Sequence, residues 1–216
     1  MRDVEKLIAN QGSETVRDIY ETIQHWSWHD LSILQDIIME PSIWITGHDD
    51  ISFKEELLVN NDKRLVSVLA GLKCFWLLEN SSAKDIHFFD LRKDNLEIKK
   101  QMFDWLYVDK VDPREKLVDL NPSFRYNKED PLWDKIGKRD VSDCTVHWDL
   151  INVVQHPEYL IDRMDVIPGS IYLSNIFDRD NESTWLYNNF KTLQDALWKF
   201  RRNGGKVWLH GNGFIE

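Results

Sequence analysis

The chain is poor in the residues that announce a chemistry by themselves. Its only cysteines, Cys74 and Cys144 among 216 residues, supply neither a disulfide framework nor a paired metal motif, and they read as reduced core residues. Positive charge is short: 27 Lys and Arg stand against 37 Asp and Glu, a net charge of −10. That balance disfavours a nucleic-acid backbone or an anionic membrane as the main partner, because phosphate binding needs a surplus of Lys and Arg on at least one face. No apolar run reaches the length of a membrane span, and the opening MRDVEKLIANQGSE lacks the basic-then-apolar order of a signal peptide, so the expectation is a soluble, cytoplasmic protein. Glycine is also scarce, and neither GxGxxG nor GxxxxGK[ST] occurs. Both standard phosphate-cradling signatures are thereby set aside.

What is present is a full complement of core formers. With 42% hydrophobic and 12% aromatic residues, the chain can bury a core as one domain with an appendage. The most informative stretch is residues 64–100, which reads as strand, tight turn, helix, strand ending in an acid, helix. Leu65, Val66, Val68 and Leu69 form a short apolar run rich in β-branched residues, the mark of a strand covered on both faces. Ala70 and Gly71 end it with a turn that lets a ligand approach the main chain. KCFWLLEN predicts a short helix over 73–80. Ile86, Phe88 and Phe89 form the second strand, which ends in Asp90. Asp94 and Glu97 have the spacing of a capping box, and Leu96, Met102, Phe103 and Leu106 follow at helical spacing with Lys99 as the one polar intruder. A first βαβ unit whose second strand ends in a carboxylate suits an adenosine-containing ligand, with Asp90 accepting hydrogen bonds from ribose hydroxyls.

The rest of the chain divides around this unit. Residues 1–60 read as an N-terminal helical cap and flap: Ser13 caps a helix carrying Val16, Ile19, Tyr20 and Ile23, and Asp30 caps one carrying Leu31, Leu34, Ile37 and Ile38. His25, Trp26, Trp28 and His29 either line a substrate pocket or staple the cap to the core. Gly47, His48, Asp49 and Asp50 have ligand chemistry, but neighbours on one loop rarely converge on one ion, so no metal is expected there. Residues 61–216 read as the main domain. Residues 109–143 form a polar, proline-containing insertion too long for an ordinary connection, expected at the ligand-facing rim. Then follow a strand at Thr145, Val146, His147, Trp148 and Asp149, a helix over 157–166, and a strand at Ile171, Tyr172, Leu173 and Ser174 continuing into Asn175 and Ile176. A long helix carrying Leu193, Leu197 and Phe200 ends at Asn203, Gly204 and Gly205, and Val207, Trp208 and Leu209 make a last strand before His210. The fold class is therefore α/β: a Rossmann-like, doubly wound, mostly parallel sheet of about five strands.

Across residues 62–212 the order of landmarks resembles the class I S-adenosylmethionine-dependent methyltransferase superfamily. VSVLAGL stands as a degenerate first motif, IHFFD as the acidic end of the second strand, IYLSNIFD as the fourth-strand motif, and RRNGGKVWL as the Gly-Gly turn and fifth strand. Within it, the VLAGL turn and the LSNIFD strand look most like the 3-amino-3-carboxypropyl transferases of betaine-lipid synthesis. The resemblance implies that Ala70, Gly71 and Leu72 pass beneath the methionine part of S-adenosylmethionine, that Asp90 binds the ribose with Leu91 and Arg92 beside the adenine, and that Asp149 meets the adenine amino group. It also implies that Ser174 and Asn175 sit at the reacting centre. His210 and Asn212 close the last strand on the same edge, where His210 would serve as base or orienting group. The chain departs from the pattern in having Gly71 alone, followed by Lys73, where the superfamily has two or three glycines and an acid, and in ending just after the fifth strand.

The expected activity is thus transfer of a methyl group to a small-molecule or glycan-type acceptor. Aminocarboxypropyl transfer or cleavage of the cofactor is the alternative on the same sulfonium. A non-catalytic Rossmann-like binding or scaffold protein is the reading from another class.

Overall fold

A computed structural model describes residues 61–120, 130–174 and 184–209. The N-terminal cap, the GHDD loop, Asn175 and His210 lie outside the described residues. Among the described residues, five strands form one sheet: β1 (Arg64–Val68), β2 (Asp85–Asp90), β3 (Thr145–Leu150), β4 (Gly169–Ser174) and β5 (Lys206–Leu209). Their order is β3-β2-β1-β4-β5, and every pairing is parallel. Between them run α1 (Lys73–Glu79), α2 (Lys93–Phe103) with a π-turn continuation Asp104–Val108, α3 (Arg114–Leu120), a 3-10 turn Pro131–Lys135, α4 (Glu158–Ile161) and α5 (Thr184–Arg202).

The sheet is covered on both faces, and the strands show it residue by residue. Leu65, Ile86, Phe88, Tyr172 and Trp208 enter one buried cluster with α1, α2, Leu117 and Trp133. Their strand neighbours Val66, Phe89, Ile171, Leu173 and Val207 enter a second with Tyr159, Leu160, Leu193, Leu197 and Phe200. Alternate residues of one strand thus serve opposite cores, which is why these runs are apolar without a break. This is the Rossmann-like, doubly wound α/β arrangement.

The insertion between α2 and β3 behaves differently from its composition. Its described part carries α3 and the 3-10 turn, and Leu117, Val118, Trp133 and Ile136 are buried in the first core. These residues explain α1, in which six of seven residues, Lys73 to Leu78, are buried. A helix apolar all round needs cover on its outer side as well as its inner one. The Arg139 backbone N–H donates to Glu79 at the end of α1, and its guanidinium donates to the Leu78 carbonyl at 2.7 Å and to the Ala83 carbonyl. In a parallel sheet, a segment joining the end of one helix to the start of the next strand lies at the amino edge. Arg139 docks there rather than at the ligand-facing rim.

Two local readings shift. α2 begins at Lys93 with Arg92 as its cap residue, so Asp94 sits inside the first turn. There it accepts from the Asn95 backbone N–H and pairs with the Arg92 guanidinium at 2.6 Å. The terminus of α5 is as expected: Gly204 takes φ +95°, a left-handed conformation that favours glycine.

Candidate functional site at the carboxyl edge

The strand order says where a ligand would be expected. Chain order reverses between β1 and β4, and in open α/β sheets the crevice lies outside the carboxyl ends of the strands at that point. The β1 turn runs through Ala70, half-buried, and Gly71 and Leu72, both buried. Gly71 adopts φ 55°, so the turn depends on its lacking a Cβ. Ser174 ends β4 with φ 50°, buried, next to an irregularity in the β4–β5 pairing. A non-glycine residue held in that region costs of order 1–3 kcal/mol and marks a place the surroundings enforce.

Asp90 is the centre of a buried polar network. Its Oδ1 accepts the Arg92 backbone N–H at 2.8 Å, and its Oδ2 accepts from Asn95 Nδ2 at 2.6 Å. The same Asn95 amide donates to the Leu69 carbonyl at 3.1 Å, which ties the end of β1 to the end of β2. Burial pushes the Asp90 carboxyl above its ordinary range, against the pull of these hydrogen bonds and of Lys99 and Arg92. Beneath the turn, fully buried Lys99 donates from Nζ to the Gly71 carbonyl and lies 5.7 Å from the Phe75 ring centre. Its ammonium is lowered by burial, with Cys74 and Asp90 opposing. Cys74 packs against the same carbonyl at 3.5 Å, its thiol raised by burial to about 11. It is an inert core thiol.

Leu91 is 49% exposed and Leu150 is 53% exposed. Leu150 pairs in register with Asp90, so two apolar side chains stand in solvent beside the buried carboxylate. The Arg92 guanidinium is held by Asp94. Asp149 turns the other way. Its Oδ2 accepts from the Tyr159 hydroxyl at 2.7 Å, on the face that α4 covers, whereas Asp90 is bonded to α2 on the other face. The structure therefore brings Gly71, Asp90 and Leu91 together and turns the Asp149 side chain to the opposite face of the same edge.

Sequence reasoning passed over Asn95 and the role of Lys99. The signal for Lys99 was there, as the one lysine on an otherwise apolar helix stripe. It also passed over a histidine pair, His87 and His147, with rings stacked 4.3 Å apart at the opposite edge. A histidine at the same register position of two adjoining parallel strands was legible once the register was known.

Comparison with protein-family models, curated proteins and solved structures finds no match to this sequence.

Proposed function

We propose that the carboxyl edge binds a nucleoside-containing cofactor, that this is S-adenosylmethionine, and that the chain is a transferase, most simply a methyltransferase. The observation that carries the reading is the linkage beside the switch point: Asn95 joins the end of β1 to the acidic end of β2, and Lys99 holds the Gly71 turn. The acceptor capacity of Asp90 fits. A carboxylate offers about four lone-pair positions, and the Arg92 and Asn95 donors leave positions for ribose hydroxyls. Leu91 and Leu150 give a planar base an apolar surface, and Gly71 lets the ligand pass close to the main chain.

When bound, S-adenosylmethionine supplies an electrophilic methyl group on a sulfonium, so the protein's share is alignment and exclusion of water. Asp90 would fix the ribose. Lys99 holds the turn by its bond to the Gly71 carbonyl, and Ser174 presents the end of β4 to the reacting side.

Calorimetric titration with S-adenosylmethionine and S-adenosylhomocysteine tests this on the wild type and on Asp90→Asn. Wild type is expected to bind both, and Asp90→Asn to bind about tenfold or more weakly, the loss of a hydrogen bond to a charged group. Failure of the wild type to bind either compound overturns the reading. Thermal melts of both proteins check that the substitution leaves the fold intact. One observation favours a second reading, a scaffold without chemistry: both Asp90 oxygens already accept hydrogen bonds from the chain itself. Binding without turnover of any methyl acceptor, followed by mass spectrometry, would support it.

A further inference from the structure

We propose that Asp85, His87 and His147 form a divalent transition-metal site at the amino end of β2 and β3, suited to Zn2+, and that Arg163 competes with the metal for it. The placement follows from the sheet alone. Asp85 and His87 are two residues apart on β2 and so share a face. Parallel pairing sets His147 of β3 directly beside His87. Each of the three offers one ligand atom, and these atoms lie within 4.8 Å of one another. Asp85 Oδ1 stands 2.9 Å from His87 Nε2 and 3.7 Å from His147 Nε2. Around a tetrahedral zinc with bonds of about 2.0–2.2 Å, donor atoms lie roughly 3.3–3.6 Å apart. The observed separations straddle that spacing.

The rest of the surroundings decides how the site closes. Arg64 Nε donates to Asp85 Oδ2 at 2.6 Å, which fixes the carboxylate and leaves Oδ1 facing the imidazoles. This is the part an outer partner plays for a ligating group. The His87 and His147 rings are parallel to within 8°, so one must tilt for both lone pairs to meet a single ion. The His147 side chain is 45% exposed and has room to turn, while His87, at 9%, is held. Two imidazoles and a carboxylate are a donor set that zinc favours. A fourth position would stay open on the solvent side.

Arg163 stands against this. Its Nε donates to His87 Nδ1 at 3.2 Å, which leaves the proton of a neutral His87 on Nε2, facing Asp85. Ligation through Nε2 needs that proton on Nδ1 instead, so metal and the Arg163 contact exclude each other. The guanidinium also stacks on Tyr159 and lies 3.9 Å from Asp149. Asp149 offers the displaced arginine a partner.

The test is Zn2+ titration by calorimetry, with Co2+ as a visible-absorption probe, on wild type, His147→Ala, Arg163→Met and the double variant. His147 is half-exposed, so its removal leaves the core intact, and a thermal melt verifies this. The expected result is Zn2+ binding that His147→Ala abolishes and that Arg163→Met strengthens about tenfold or more, the size of an outer-shell effect. Binding that survives His147→Ala in both backgrounds belongs to other histidines and overturns the site. Absence of binding in wild type and in Arg163→Met overturns it as well. Equal affinity with and without Arg163 overturns the competition.

Discussion

The two ends of the same sheet use charge in opposite ways. At the amino edge, charged side chains cross-link strand starts: Asp62 accepts from Ser170 at 2.6 Å and pairs with Lys206 at 2.8 Å, and Arg64 bridges Asp85 and Asp165. At the carboxyl edge, the buried polar groups Asp90, Asn95 and Lys99 are directed at backbone turns, and two leucines, Leu91 and Leu150, stand exposed beside them. One edge spends its polar groups on strand register. The other spends them on holding loop backbone still, which is what a ligand cleft requires and what register does not.

The largest effect is expected at Asp62. Its carboxylate is 5% exposed and serves β4 and β5 together. Removing one partner of a buried ion pair costs about 3–5 kcal/mol. Asp62→Ala should lower the urea midpoint by a corresponding amount, while cofactor binding at the far edge, measured below the new midpoint, stays within about twofold. A loss of binding larger than the loss of stability explains would show that the edges are not independent.

Acid should act on the two edges in opposite senses. Burial lowers His87 from 6.5 to about 4 in the folded chain, with Asp85 opposing. The unfolded chain takes up that proton near pH 6.5 and the native one does not, so the stability His87 contributes is complete above 6.5 and is lost as pH falls toward 4. At 1.36 kcal/mol per unit the loss approaches about 3 kcal/mol. Asp85 works against burial through Arg64 and the two histidines and is lowered below 3.8, so its contribution is lost only in stronger acid. Asp90 is raised by burial. The native state takes its proton first, and acid adds stability there. Urea midpoints at pH 7 and 4.5 should therefore fall for the wild type and fall less for His87→Gln. An equal fall in both would sink the assignment of the amino edge as the acid-sensitive one.

Much of this was readable from residues. The strands, the turn at Gly71, the carboxylate at the end of β2 and the αL stop at Gly204 are local signals, carried by apolar runs and by glycine. The insertion was not. Trp133, Ile136 and Leu117 are spaced too irregularly to announce a core face, and their burial depends on α1 needing cover. Capping failed for a related reason. Asp94 has the right spacing, yet the helix already starts at Lys93, where Asp90 accepts the Arg92 N–H from a strand end, a contact made by tertiary position. Asp149 shows the limit of reading strand ends in one dimension, since alternation sends it to the opposite face from Asp90.

Asn95 tests the same contrast from the carboxyl edge. Asn95→Ala removes its bonds to the Leu69 carbonyl and to Asp90, at a cost of about 1–3 kcal/mol for the buried groups it leaves. The cofactor affinity should fall as well, because Asp90 loses the contact that orients it. Asn95→Asp acts on the same contacts more strongly. It keeps the size of the side chain, removes the donor, and sets a second carboxylate against Asp90. Unchanged affinity in both variants would mean that Asp90 does not face the ligand.

The smallest effect on stability should come from Leu91, and it is the most informative for function. The side chain is 49% exposed, and substitutions at such positions usually stay within about 0.5 kcal/mol. Leu91→Asp should therefore leave the melting curve where it is. If the two exposed leucines are the surface on which a base lies, the same substitution places a charge against an aromatic ring and removes apolar contact. Affinity for S-adenosylmethionine should then drop about tenfold, roughly the burial of one to two methylene groups, with Leu150→Asp behaving alike. A structural role predicts movement of the melt and little change in binding, whereas a ligand-facing role predicts the reverse. Leu91 and Leu150 distinguish these most cleanly, because Asp90 and Asn95 also hold parts of the chain to one another.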